Sequence, residues 1–330
     1  MTVDESATVP ATSRWSRVRA MRVVRLGAVI VVLVLAAVAV VVTVVIAGPP
    51  SKQDLIEQAG LIGKRQLLIG VKDDQPGISL LDPKTQKYTG FDIDIAYMIA
   101  GDLGFQPHEV RFLSLESEDR ERMQGRDGNQ YVVVDLVVAS FSITAEREAQ
   151  PGVTFSAPYL QSEQSVITRK DYQGQVESLS DLVGKKVCTL ATSTSDSALG
   201  RAGVAATANK RASECVTGLF GGTYDAVSTD AAILAGFVAL YPDKLKHFDI
   251  GLSASEWWGV NTGTNEALRQ LVNLTLWDSR NDPGDRRWEN AFDTHLRPVQ
   301  AVNLPQQVAV DRQPEVEEVN IRRWPWESGS

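Results

Sequence analysis

Residues 26–47 form an unbroken apolar run, 22 residues with no charge and one Thr. As a helix rising about 1.5 Å per residue they would be roughly 33 Å long, enough to cross a bilayer core of about 30 Å. Arg14, Arg17, Arg19, Arg22 and Arg25 precede the run, and Gly48, Pro49 and Pro50 follow it. Positive residues stay on the cytoplasmic side, so the N-terminus is expected inside and the chain after Pro50 outside. The run exceeds the roughly 7–15 apolar residues of a cleaved signal, which favours a retained single-pass anchor in the cell membrane. Cleavage after Val45-Ile46-Ala47 is the alternative.

Past this head the pattern changes to short apolar runs alternating with amphipathic stretches. Leu67–Val71 reads as a strand and Asp73 to Lys87 as turn-rich. A helix is expected over 91–100, with Phe91, Ile95, Met98 and Ile99 on one face and Gly101 and Gly104 marking its end. Arg111–Leu113, Val132–Ala139, Lys185–Leu190, Tyr224–Val227 and His247–Ile250 are further strand candidates, and 195–207, 230–240 and 265–278 are helical. Strands alternating with helices predict an α/β fold with mostly parallel strands. Residues 298–330 lack periodicity and predict an extended tail. In open sheets of this kind ligands sit just past the strand ends, at the following helix N-termini. Four such turns, Lys72-Asp73-Asp74, Ser140-Phe141-Ser142, Ala191–Ser195 and Ser228-Thr229-Asp230, all carry small polar or charged groups. That convergence points to a polar small-ligand site.

Charge sharpens the division. The 330 residues hold 33 Lys+Arg and 41 Asp+Glu, a net of −8. The head, 1–25, carries five Arg against Asp4 and Glu5, so the 28 basic and 39 acidic residues beyond it leave the exported part at −11. That acidity argues against a nucleic-acid partner. An apolar content of 43% with 22% charged residues excludes a disordered chain. Two Cys and three His are too few for a zinc, haem or iron–sulfur scaffold, so no metal or cofactor is expected. Cys188 and Cys215 both lie outside the membrane and are expected to pair as a disulfide, which would contribute about 3 kcal/mol in the chain-entropy model. Two buried thiols are the alternative. No H-E-x-x-H, G-x-S-x-G or P-loop pattern occurs. His108, His247 and His295 lie away from the four turns, so a Ser nucleophile has no obvious base, and no enzymatic activity is expected.

The residues Ser140-Phe141-Ser142-Ile143-Thr144-Ala145-Glu146-Arg147 place two hydroxyls after a strand and an Arg five positions past the second. If the chain turns into a helix there, Arg147 folds back over the same mouth. Guanidinium, hydroxyl and backbone N–H together suit a bound carboxylate. Asp230, at another strand end, could hold an ammonium, and the two together describe a free α-amino acid. The Ser/Thr cluster 192–195 also reads as a plain helix cap.

At this point the sequence resembles the extracellular solute-binding proteins of family 3, the amino-acid-binding components of polar amino-acid ABC uptake systems. The match is carried by Gly90-Phe91-Asp92-Ile93-Asp94-Ile95-Ala96, by Val134-Asp135-Leu136-Val137-Val138-Ala139-Ser140-Phe141-Ser142-Ile143-Thr144 with Glu146-Arg147, and by Phe155-Ser156-Ala157-Pro158-Tyr159. In the second half it is carried by Leu182-Val183-Gly184-Lys185-Lys186-Val187-Cys188 and Tyr224-Asp225-Ala226-Val227-Ser228-Thr229-Asp230. It covers roughly 60–297 and implies a two-lobed periplasmic-binding-protein type II fold with two hinge crossovers, behind one N-terminal transmembrane helix. The implied division is a cytoplasmic head 1–25, an anchor 26–47, a linker 48–59, lobe 1 at 60–160 and 258–297, lobe 2 at 164–255, and the tail 298–330. The crossovers would lie near Gln161–Gln164 and Glu256–Gly259. By the same resemblance Arg147 and Ser142, with Ser140, hold the ligand α-carboxylate, Ser193 and Thr194 add donors, and Asp230 takes the α-ammonium.

Gly70-Val71-Lys72-Asp73-Asp74-Gln75-Pro76-Gly77 and the Cys188/Cys215 pair look like the actinobacterial-type glutamate-binding branch. In glutamate- and aspartate-binding relatives, basic residues at the positions of Lys72 and Arg120 bind the side-chain carboxylate. Lys72, Arg120 and Arg147 against Asp230 would compensate a dicarboxylic amino acid, and the partner count matters because a buried charge without one is costly. Three departures stand out. Arg120 is followed by Glu121-Arg122-Met123, which leaves Arg122 as the alternative pocket residue. Several additional residues precede Asp135, and Thr192 stands where relatives have Gly. Glutamine and asparagine stay open as ligands. The implied partners are a free amino acid and a membrane permease or a membrane sensor. The rival reading is a cyclohexadienyl dehydratase-like enzyme on the same fold, with Asp230 as its acid.

Overall fold

The computed structural model describes residues 14–250 and 255–323. The start of the head and the end of the tail, 1–13 and 324–330, lie outside the described residues. The chain divides into two compact units. One, Met1–Ser51 with Asn320–Ser330, is built on helix α1 (Arg14–Ala47). Within it Met21–Thr43 is, among the described residues, the one helix long and apolar enough to cross a membrane. Apart from Arg22 and Arg25 in its first turns, its side chains are apolar up to Thr43.

The other unit, Lys52–Val319, opens with α2 (Lys52–Gln58) and β1 (Leu67–Val71). The turn-rich stretch that follows folds into a small antiparallel sheet of β2 (Asp74–Gln75), β3 (Ser79–Leu81) and β4 (Tyr88–Thr89). Helix α3 (Phe91–Asp102) comes next. Gly90 before it has φ +134°, and a Cβ there would stand 2.3 Å from the Ile78 carbonyl oxygen, so the close passage requires Gly. The chain continues through β5 (Val110–Ser114), α4 (Asp119–Arg122), β6 (Gln124–Asp127), β7 (Gln130–Val133), β8 (Leu136–Val137), α5 (Ala145–Glu148) and β9 (Phe155–Arg169). Then come β10 (Val187–Leu190), α6 (Thr194–Arg201), β11 (Ala206–Asn209), α7 (Ala212–Phe220), β12 (Ala226–Asp230), α8 (Ala231–Leu240) and β13 (Leu245–Phe248). Strand β14 (Ser255–Asn261) and helices α9 (Glu266–Asn281), α10 (Arg287–His295) and α11 (Arg297–Val302) complete it.

Among the described residues the large sheet has the order β11-β10-β12-β9-β14-β8-β1-β5-β6-β7, with β13 also on β9. It consists of two parallel cores. In the first half β1 lies between β5 and β8; in the second half β10 lies between β11 and β12. The joint is antiparallel. Strand β9 pairs with β14 along Gln161↔Trp257 and Ser162↔Glu256, then crosses to pair with β12 along Gln164↔Asp230 to Thr168↔Ala226. Its polar run Gln161-Ser162-Glu163-Gln164-Ser165 has no apolar alternation, so the pattern does not announce it. Pro158 is tolerated because the β9–β14 register is irregular there.

Each half has its own core. In the first, Phe91, Tyr159, Trp258, Trp288 and Phe292 pack as a chain of rings 5.3–6.4 Å apart. In the second, Val166, Leu182, Val187, Leu199, Ala226 and Phe248 form the centre. Cys188 and Cys215 are joined, tying β10 to α7.

Three local expectations change. The strand expected over Val132–Ala139 is two strands. Val132 and Val133 pair with β6 as a hairpin, and the Asp135 carboxylate accepts from the Leu68 N–H at 2.9 Å, turning the chain before β8. The helix expected over 195–207 ends at Arg201, because Gly203 adopts φ +77° and Val204 N closes on the Leu199 carbonyl at 3.0 Å. The tail begins as helix α11 and then lies extended along the sheet joint. Ser162 Oγ donates to the Val308 carbonyl at 2.8 Å, Val310 N to Gln161 at 2.9 Å, and Gln313 Nε2 to Leu276 at 2.8 Å.

Candidate functional site

The four polar turns converge where the two halves face each other. Arg147 lies on α5, which is capped by Thr144, whose hydroxyl accepts from Arg147 N at 3.2 Å. This short helix swings the guanidinium back over the strand end. Nη1 donates to the Ser142 carbonyl at 2.6 Å, and Nη2 reaches the second half to donate to the Thr192 carbonyl at 2.7 Å. Arg120, on α4, donates from Nε to Ser117 O at 2.9 Å and from Nη1 to Ser140 O at 3.0 Å. Both guanidiniums lie over the Phe141 ring, each 4.7 Å from its centroid, a contact that favours cations. Of the two candidate arginines, Arg120 is the buried one. Arg122 has a side chain 62% exposed and pairs with Asp119 at 3.6 Å.

Lys72 follows β1 and is buried, with Nζ donating to Ser117 Oγ at 3.4 Å and to the Lys210 carbonyl at 3.3 Å. Burial lowers its pKa to about 8, against the raising influence of Asp74. Burial also lowers Arg120, to about 9, with the charge of Arg147 next in effect. Asp230 ends β12 and accepts from Trp258 Nε1 at 2.6 Å. Burial raises it to about 7, with Glu256 adding to the rise and Trp258, Arg120 and Arg147 opposing it. The buried cations Lys72, Arg120 and Arg147 and the buried carboxylate of Asp230 thus share the opening. Burial disfavours the charged form of each, and an opposite charge, within the cleft or on a ligand, offsets that penalty.

Ser140 and Ser142 lie at this opening. Ser140 Oγ donates to Gln75 Oε1 at 3.0 Å, and its N–H donates to Asp92 Oδ2 at 2.8 Å. The Ser193 hydroxyl caps α6, accepting from Asp196 N at 3.1 Å and donating to Leu190 O at 2.6 Å. Thr194 opens that helix and lines, with Thr192, Ser193, Arg147 and Glu121, a cavity at the mouth of about 490 Å³. Across the cleft Lys210 pairs with Glu118 at 2.5 Å, Arg211 with Asp73 at 2.5 Å, and Ser213 N donates to Asp74 Oδ2 at 2.9 Å.

Sequence reasoning missed Gln75, Asp92 and Trp258 as parts of this site. Asp92 is buried on α3, accepts from Tyr159 OH at 2.9 Å and from Ser140 N, and has its pKa raised to about 7 by burial. Its place inside the apolar run Phe91–Ile95 is the one signal that would have marked it: an acid on a buried face needs partners. Trp258 comes from a distant strand and left no local signal.

Two of the polar turns hold a non-Gly residue at positive φ, Ser140 at 43° and Thr192 at 54°. For the β-branched Thr this conformation is strained. Its contribution to the site, the carbonyl that takes Arg147, belongs to the backbone. Thr192→Gly is therefore expected to stabilise the protein by about 0.5–1 kcal/mol in denaturant unfolding, net of the unfolded-state freedom Gly gains. Ligand affinity should stay within about twofold, because the same carbonyl is presented.

The sequence profile of the bacterial extracellular solute-binding proteins, family 3, matches residues 67–289. The chain is similar to the glutamate-binding protein GluB of Corynebacterium glutamicum, 32% identical over 224 residues that cover 62% of this chain and 72% of that protein. It is also similar to the ABC transporter glutamine-binding protein GlnH of Bacillus subtilis, 31% identical over 242 residues, covering 72% of this chain and 83% of that one. Among solved structures it resembles an ancestral arginine-binding protein bound to glutamine, with a TM-score of 0.61 and 28% identity, covering 70% of this chain and 98% of the other.

Proposed function

This chain belongs to the bacterial extracellular solute-binding proteins, family 3, and from that premise we propose that it is a membrane-anchored receptor for a free acidic or amide amino acid. The observation that carries the reading is the Arg147–Asp230 pair. A buried guanidinium joined to both halves and a buried carboxylate on Trp258 influence one another's ionisation inside one cleft. An α-amino acid supplies the complement of each, its carboxylate to Arg147 and its ammonium to Asp230. Lys72 and Arg120 then face the ligand side chain, with Ser140, Ser142, Ser193 and Thr194 around the backbone atoms. The two relatives by sequence named above are a glutamate-binding and a glutamine-binding protein, which supports this ligand class.

The proposed lobes are 60–160 with 258–297, and 164–255. They hinge where β9 and β14 run side by side at Gln161–Gln164 and Glu256–Gly259. Helix α1 would hold the receptor at the outer face of the cell membrane, beside a permease or a sensor that reads closure.

Calorimetry on the full chain in detergent tests the reading. Saturable heat with glutamate, aspartate, glutamine or asparagine is expected. Absence of heat and of thermal shift with all of the common amino acids would overturn it. Fractionation tests the anchor: the chain should stay with membranes and keep residues 1–25.

A further inference from the structure

Gln75 and Arg120 are both almost wholly buried, 1% and 4% exposed. Each is fixed through one atom to the same residue, Ser140. The Ser140 hydroxyl donates to Gln75 Oε1 at 3.0 Å, and Arg120 Nη1 donates to the Ser140 carbonyl at 3.0 Å. Ser140 is itself pinned, its N–H on Asp92 and its φ at 43°. The remaining nitrogens of both side chains, Gln75 Nε2 and Arg120 Nη2, are buried and have no hydrogen-bond partner within the protein. Lys72 belongs to the same string, because Ser117 takes Arg120 Nε on its carbonyl and Lys72 Nζ on its hydroxyl.

We infer that Gln75 is a specificity-determining residue, forming with Arg120 a subsite of donors alone that takes a side-chain carboxylate and rejects a carboxamide. The inference rests on the amino-acid reading above and narrows it from four ligands to the two acids. The chemistry is asymmetric. A carboxylate offers acceptors only and satisfies every donor it meets. The amide of glutamine or asparagine would set its own NH₂ against N–H groups, leaving buried donors without acceptors. The neighbouring Asp74, whose Oδ1 is also without a partner, does not supply the missing acceptor. Successive side chains on a strand point to opposite faces, and the other oxygen of Asp74 takes the Ser213 N–H across the cleft.

The experiment compares affinities for glutamate, glutamine, aspartate and asparagine by calorimetry on the full chain and on two variants, Gln75→Glu and Gln75→Met. The wild type is expected to prefer each acid over its amide by at least about tenfold. Gln75→Met removes the donor and should lower acid affinity about tenfold, shrinking the preference. Gln75→Glu places an acceptor where the donor stood and should bring the ratio to unity or invert it. Each ratio is taken on a single preparation, so a variant that folds only in part still reports it. Equal or tighter binding of the amides by the wild type overturns the inference, and would mean that the Gln75 oxygen faces the ligand. A ratio unchanged in both variants overturns it too. Failure of all four ligands on the wild type would instead remove the amino-acid reading itself.

Discussion

Arg147→Ala is expected to abolish measurable ligand binding, a loss of about 3–5 kcal/mol or at least two to three orders of magnitude in affinity. The size follows from two roles that coincide in one group. The guanidinium is the proposed partner of the α-carboxylate, and removing it leaves that anion desolvated in the cleft. It also bridges the halves, holding Ser142 O on one side and Thr192 O on the other, so the closed state loses a charge-assisted clamp. Arg147→Lys keeps a charge but cannot reach both carbonyls with a planar fork. It should recover a minor part of the affinity. Calorimetry gives the affinities, and thermal unfolding without ligand checks that the variants fold. Ligand binding within threefold of wild type by the Ala variant would remove Arg147 from the site.

Asp230→Asn is expected to weaken binding about 100-fold while stabilising the ligand-free protein. Burial raises the folded-state pKa of Asp230 from 3.8 to about 7. A carboxyl whose pKa is raised on folding holds its proton more tightly in the folded state. Its favourable contribution is complete below the unfolded value near 4 and is lost as the pH climbs through about 7. At pH 8 the ionised carboxylate therefore weighs against the fold. The Asn variant removes that load and still offers Trp258 an acceptor. The gain should be about 1–3 kcal/mol at pH 8 and vanish near pH 4 in denaturant unfolding. The same neutral group cannot hold an ammonium, hence the loss of affinity. A variant that binds as well as wild type would deny Asp230 its role, and one equally destabilised at both pH values would deny the origin of its raised pKa in burial.

The halves of the site differ in how far the chain pattern disclosed them. Lys72, Ser140 and Asp230 stood out because each lies in a polar turn at the end of an apolar run, and strand ends in α/β sheets face a common edge; Arg147 stood out by its place five residues past Ser142, on the helix that follows. The choice between Arg120 and Arg122 was not legible. Two residues apart on one short helix they point to different sides, and only the packing of α4 against Ser117, Ser140 and Phe141 decides which is buried. Ser193 reads equally as cap and as donor in sequence, and the structure shows its hydroxyl engaged in the cap.

What the sequence by itself determined is local and periodic: the apolar run that makes α1, the alternation that makes two parallel cores, and the family motifs at the strand ends. These depend on neighbours within a few residues, whose spacing the chain carries directly. The tertiary structure alone decided the joint and the contents of the cleft. Strand β9 is polar where it crosses between halves, because its partners β14 and β12 satisfy its backbone there whatever its side chains are. Trp258 reaches Asp230, Asp92 reaches Ser140, and Gln75 shares Ser140 with Arg120, across separations of 28, 48 and 65 residues. Their value lies in burial. A hydrogen bond or charge in that cleft is strong because water is excluded, and exclusion of water belongs to the assembled fold and to no segment of it.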